Sequence, residues 1–314
     1  MAPKNARLLL SEAVEGFVLS KAAEGRSTHT LADYRYCLRM FTEWLAADPP
    51  VADLTTDDVR RFLVHLRGTD LSPKTIKNVH TALASMWSWL AAEEGLPHVV
   101  RAVKPPKAHP PEFQLPNKED IGALLRACEY SNDAKTARRQ GFRMRRSTAL
   151  RDRTLVLFFL DTGVRVSELC DLILRDVDLK TGGVLVRHGK GDKPRQVYMG
   201  KALRKLVWRY MTTHRGDEPE HAPLFVTREG RPLTRYAVEH LLRHLGQRAG
   251  VEVYPHLLRH VFATEFLRGG GSTLALRRLL GHVSDALLAR YAQIVAADLQ
   301  AAHEAASPAD RWRL

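Results

Sequence analysis

The chain has little cysteine: Cys37, Cys128 and Cys170 are the only three in 314 residues, far apart and in no C-x-x-C pairing. That excludes a disulfide framework, offers no thiolate zinc site, and leaves the three as core residues. Long hydrophobic runs are also missing. The longest, Leu155 to Leu160, is far too short to span a bilayer, and Glu12 and Glu15 interrupt the apolar N-terminal stretch that would otherwise suit a signal peptide. A cytoplasmic protein with no membrane partner is the expectation. Acid is in deficit: 35 Asp plus Glu stand against 48 Lys plus Arg, a formal charge of +13. Such an excess calls for a polyanionic partner, nucleic acid ahead of an anionic membrane surface.

What is present reads as two domains, since the length exceeds that of one ordinary domain. Four helical patterns precede residue 105, at Leu9 to Glu24, Thr30 to Ala46, Thr56 to Leu66 and Pro73 to Glu94, each with apolar residues three and four apart. Thr55 or Thr56 before Asp57 and Asp58, and Ser72 before Pro73, supply cap oxygens and early acids; Gly68 and Gly95 supply stops. Residues 6–104 therefore form a small all-helical domain. Pro105, Pro106, Pro110, Pro111 and Pro116 forbid helix, so 105–116 is a stiff linker.

A second domain, 117–314, opens on a helix from Asn117 through Cys128. A basic stretch from Lys135 to Arg153 follows, read either as a solvated loop or as a DNA contact, with Arg143 and Arg145 among its arginines. Two β-like runs, Val184 to Arg187 and Arg195 to Tyr198, flank the turn formers Gly189, Gly191 and Asp192, which makes a β-hairpin with Lys190 at its tip and Lys193 on the same turn. Helical patterns resume after residue 200. The fold class is mainly α with a small β-sheet.

Cutting a phosphodiester without a metal requires a nucleophile, cations for the non-bridging oxygens and an acid for the leaving oxygen. Arg165 follows Gly163, which ends one helix, and precedes Ser167 at the start of the next, so its guanidinium projects beside a helix N-terminus. Pairing with Glu168 for structure is the plainer role for this one arginine. His256 and Arg259 are three apart, share a helix face and can grip one phosphate. His256 and His260 also have the spacing of a zinc pair, but Leu257 stands where zinc hydrolases carry glutamate; no metal or other cofactor is expected. The same pentapeptide recurs at His240 to His244, where it reads as a surface face. His282 precedes Tyr291 by nine residues, and a phenol with a pKa near 10 attacks phosphorus only with help in losing its proton.

In this order and spacing, Arg165, Lys190, His256, Arg259, His282 and Tyr291 resemble the tyrosine recombinase (phage integrase) family, whose pattern is Arg, hairpin Lys, His-x-x-Arg, His or Trp, then Tyr. The resemblance covers almost the whole chain. It implies a SAM-like helical core-binding domain that clamps DNA, followed by a mixed α/β catalytic domain. It implies that Tyr291 attacks the scissile phosphate to give a 3′-phosphotyrosyl link without ATP, that Arg165 and Arg259 hold the non-bridging oxygens, that Lys190 rather than Lys193 protonates the departing 5′ oxygen, and that His256 and His282 position the phosphate and assist proton transfer. Partners so implied are double-stranded DNA and three further copies, a homotetramer on two DNA sites joined through the C-terminal helix after Tyr291.

Departures exist: Ala286-Leu287-Leu288 and Val261 replace threonines common in the family. With no extra domain before the helical one, arm-type DNA sites are not expected. Integration, excision or resolution of a DNA element is the expected activity, with a Xer-type dimer resolvase as the alternative inside the class. A type IB topoisomerase and a non-catalytic DNA binder are the alternatives outside it. Lys74, Lys77, Arg35 and Arg39 in the first domain are candidate backbone contacts, as are Lys193, Arg143 and Arg145 in the second.

Overall fold

A computed structural model describes residues 7–106, 114–130, 134–136, 139–142, 144–187 and 193–281, together with positions 291, 303, 307, 309 and 312. The chain divides into two compact units, Met1–Phe113 and Gln114–Leu314. Among the described residues no helix is long and apolar enough to cross a membrane.

The first unit is built from α1 (Leu10–Ala23), α2 (Thr28–Leu45), α3 (Thr56–Arg67) and α4 (Pro73–Glu93). Its helix starts are chemically determined. The Thr55 hydroxyl accepts from the Asp58 amide at 3.3 Å while the Asp58 carboxylate accepts from the Thr55 amide at 2.8 Å, a reciprocal capping box. Ser72 caps α4 through the Thr75 amide, with Pro73 in the first turn where no donor is needed. Ser27 caps α2 in the same way and starts it two residues before the sequence pattern does, because the cap lies ahead of the first apolar position. Phe17, Phe41, Phe62 and Trp87 fill the centre, all at most 1 % exposed, and each contributes on the order of 2 kcal/mol through burial.

The second unit holds α5 (Lys118–Glu129), the pair β1 (Ala134–Thr136) and β2 (Arg139–Phe142), α6 (Ala149–Thr162), α7 (Val166–Cys170), the pair β3 (Gly183–Val186) and β4 (Arg195–Tyr198), α8 (Lys201–His214), α9 (Arg235–Ala249), α10 (Pro255–Arg268) and α11 (Thr273–Leu280). Asn117 and Asp120 cap α5 reciprocally. Helix α6 packs against α5, α8 and α10, and its Leu155, Val156, Phe158 and Phe159 are fully buried. It is the axis on which the site is hung.

Two expectations change here. The stretch from Lys135 to Arg153 is not a loop throughout: β1 and β2 pair antiparallel, and Arg151 and Arg153 lie inside α6. Nor are its arginines uniformly solvated. Asp152 is completely buried and holds Arg146 at 2.8 Å and Arg151 at 2.7 Å, while Arg153 pairs with Glu129 at 3.0 Å. A buried carboxylate must be paired, and that demand turns arginines of a basic run inward. The β3–β4 pair does form as expected, antiparallel with Val184 opposite Val197, both fully buried.

Candidate active site

Gly163 sets Arg165 in place. It ends α6 with φ +61°, the left-handed region that favours glycine, and a Cβ there would lie 2.2 Å from Phe262 Cδ1 on α10. No other residue permits α6 and α10 to approach this closely at that turn. The chain then runs extended through Arg165 into α7.

Arg165 and Arg259 lie close enough for each to feel the other's charge. Arg259, on α10, is 4 % exposed and spans two backbone carbonyls, donating to Gly163 O at 2.5 Å and Leu280 O at 2.6 Å. Its guanidinium thereby ties the ends of α6 and α11 to α10. Burial, with Arg165 as a like charge nearby, pulls its pKa down to about 10, still well above neutrality. It therefore remains a cation in a place that repels cations, which suits a group awaiting an anion.

Glu168 is the carboxylate that organises this charge. It accepts from Arg165 at 2.6 Å and from the Arg165 backbone amide at 2.7 Å, and takes both prongs of Arg195, from β4, at 2.7 and 2.8 Å. Burial pushes its carboxyl up, but the Arg195 and Arg165 bonds outweigh that and hold it down at about 2. The structural pairing of Arg165 with Glu168 and its placement in the site are thus both true, because one face of the guanidinium bonds the acid while the residue also lines the pocket.

That pocket, about 600 Å³, is lined by Arg165, His256 and Arg259 together with Arg235, Glu239 and Arg243 from α9 and the segment 251–255. Four guanidiniums converge on it, which favours a phosphate-bearing ligand. His256 is exposed at the start of α10, one turn before Arg259, as their spacing requires. Tyr291 is 1 % exposed and buried against Phe262, Ala263, Leu276 and Leu280. Its hydroxyl is hydrogen-bonded to Nδ1 of His260 on α10, the residue next to Arg259.

Arg165, His256 and Arg259 are therefore brought to one pocket, and Tyr291 lies beside it in the same unit. Lys190, His282 and Arg143 lie outside the described residues, as does nearly all of the segment after Tyr291. Lys193 and Arg145 are exposed. In the first unit Lys74 and Lys77 are exposed on the first two turns of α4, while Arg35 and Arg39 are exposed but near Glu15 at 3.7 Å and Glu43 at 3.6 Å. Such surface pairs are weak and leave both arginines available to phosphate.

Sequence reasoning missed Arg195, Arg235, Arg243 and the Tyr291 partner role of His260. For His260 a signal existed: it sits four residues after His256, hence on the same face, and their rings pack edge to face with centroids 4.6 Å apart. Arg195 carried none, because its partner lies 27 residues away.

Comparison with known proteins agrees with this geometry. Residues 117–297 match the phage integrase family and residues 19–94 match the phage integrase N-terminal SAM-like domain. The tyrosine recombinase XerA of Thermococcus kodakarensis is 34% identical over 94% of this chain and 95% of its own length. The tyrosine recombinase XerC of Xanthomonas campestris pv. campestris is 33% identical over 94% of this chain and 88% of its own. Among solved structures, a lambda integrase dimer bound to a COC′ core site shares the fold with a TM-score of 0.71 at 19% identity, covering 90% of this chain and 95% of that one. With a buried phenol next to a pocket of guanidiniums, and with both domain models matched in order, the chain belongs to the phage integrase family of tyrosine recombinases.

Proposed function

We propose that the chain cuts and rejoins duplex DNA at a specific site through a 3′-phosphotyrosyl link to Tyr291. The observation that carries this reading is the convergence of Arg165, His256 and Arg259 on one pocket with the Tyr291 hydroxyl bonded to the neighbour of Arg259. A scissile phosphate seated among the guanidiniums has its non-bridging oxygens neutralised by Arg165 and Arg259 as charge develops. Attack by the phenol oxygen on phosphorus releases a 5′ hydroxyl, whose oxygen takes its proton from Lys190. Ligation is the same exchange reversed, so the bond energy is kept and no ATP is needed. His256 and His282 orient the phosphate. The helical unit 6–104 supplies further backbone contacts through Lys74, Lys77, Arg35 and Arg39, and 105–116 is the linker to the catalytic domain, 117–314.

Within the class, a Xer-type dimer resolvase is favoured, because the relatives named XerA and XerC match this chain along nearly their whole length. Strand exchange of that kind takes four copies on two DNA sites, coupled through the segment after Tyr291, in the cytoplasm. The test begins with a randomised pool of duplexes: the protein is expected to retain a subset as adducts stable to detergent, and Tyr291→Phe none. Recovered duplexes then enter a two-plasmid recombination assay with a supercoil-relaxation control. Relaxation without exchange would make the chain a topoisomerase, and binding without adduct would remove the enzymatic reading altogether.

A further inference from the structure

His260 is a buried histidine, 6 % exposed, that the scheme above does not use. Its Nδ1 is bonded to the Tyr291 hydroxyl, and the two rings lie 5.6 Å apart between centroids. The phenol is buried among apolar side chains, so bulk water is not at hand to take its proton. Arg259 links this pair to the pocket: it lines the pocket and is close enough for the charge of a Tyr291 phenolate to favour its cationic form. The one guanidinium of Arg259 can therefore both hold a phosphate in the pocket and stabilise a phenolate.

We infer that His260 is the proton acceptor for Tyr291, an inference that rests on reading Tyr291 as the nucleophile. In the tautomer protonated on Nε2, the phenol donates to Nδ1. As the bond from the phenol oxygen to phosphorus forms and the bond from phosphorus to the 5′ oxygen breaks, the proton passes to Nδ1 and the departing 5′ oxygen takes one from the Lys190 ammonium. In ligation the 5′ hydroxyl attacks and gives its proton to Lys190, the bond to the phenol oxygen breaks, and the imidazolium returns its proton to the phenolate. One histidine then acts as base in cleavage and acid in rejoining, as microscopic reversibility demands.

The test is single-turnover adduct formation on a duplex recovered from the randomised pool. His260→Ala is expected to form the adduct about 100-fold more slowly with duplex affinity unchanged, the scale of a lost general base. Added imidazole is expected to restore much of the rate by occupying the space left by the ring, whereas pyrazole, of the same shape but far less basic, restores none. His260→Asn keeps an oxygen near the Nδ1 position that accepts the hydrogen bond but not the proton, and is expected to be as slow. Equal rescue by the two azoles, or a wild-type rate in His260→Asn, overturns the inference and leaves His260 a packing residue. Should Tyr291→Phe still form adduct, the nucleophile has been misassigned instead, and the two failures are told apart.

Discussion

Glu168 and Arg195 are joined by two parallel hydrogen bonds, 2.7 and 2.8 Å, across 27 residues of chain, and the same carboxylate holds Arg165 at 2.6 Å. One buried acid thus fixes two arginines, one of which faces the pocket. Arg195 in turn donates to Leu279 O at 2.8 Å, anchoring the end of α11 to β4.

Removing the charge of Glu168 should therefore disturb stability in a defined pH window. Its carboxyl is held at about 2 against an ordinary 4.5, so the folded state favours the ionised form. The stabilisation is present above about pH 4.5 and disappears as the pH falls through about 2. It amounts to roughly 3 kcal/mol. Glu168→Gln is expected to melt at lower temperature than wild type at neutral pH, with a flatter decline on acidification. Parallel melting curves across that window would sink the assignment.

Arg259→Lys tests geometry at constant charge. A lysine cannot span Gly163 O and Leu280 O together, since it lacks the planar fork. Adduct formation should drop by roughly 10²- to 10³-fold, well beyond any loss of duplex affinity. A rate near wild type would mean that charge alone suffices there.

Gly163→Ala combines a backbone penalty with a steric one, because the added carbon meets Phe262 at 2.2 Å where φ is +61°. The expected cost is roughly 2 to 4 kcal/mol, read by chemical denaturation. The residual folded fraction should also bind phosphate-bearing duplex more weakly, as Arg259 loses the Gly163 carbonyl.

Chemistry at the 5′ atom tests whether Lys190 rather than Lys193 is the leaving-group acid. Replacing the bridging 5′ oxygen with sulfur gives a leaving group that needs no proton. Lys190→Ala should cleave the normal duplex slowly and the sulfur duplex at close to the wild-type rate, while Lys193→Ala shows no such contrast. The reverse pattern would transfer the role to Lys193.

With a formal charge of +13, duplex affinity should fall linearly in a plot of log affinity against log salt, as phosphate counterions are released. Charge reversal at Lys74 and Lys77 should flatten the slope if α4 touches the backbone. An unchanged slope removes that helix from the interface.

The three pocket residues Arg165, His256 and Arg259 were legible because their constraints are local. The three-residue step from His256 to Arg259 fixes a shared helix face whatever surrounds it, and the turn at Gly163 presents Arg165 next to a helix start. Caps at Thr55, Ser72 and Asn117 are likewise local hydrogen bonds between neighbours in sequence. The basic stretch was misjudged for the opposite reason: its pattern of arginines is the same whether they face water or a buried Asp152, and only the packing of α6 decides.

By itself, then, the sequence determined the helical character of both units, the charge that calls for a polyanion, and the spacing that sends Arg165, His256 and Arg259 to one pocket. Tertiary structure alone decided that Arg195 anchors Glu168 and that His260 meets the Tyr291 phenol. These are contacts between side chains brought together by the burial of helices, and no spacing rule along a chain encodes which distant partner a buried charge or phenol will find.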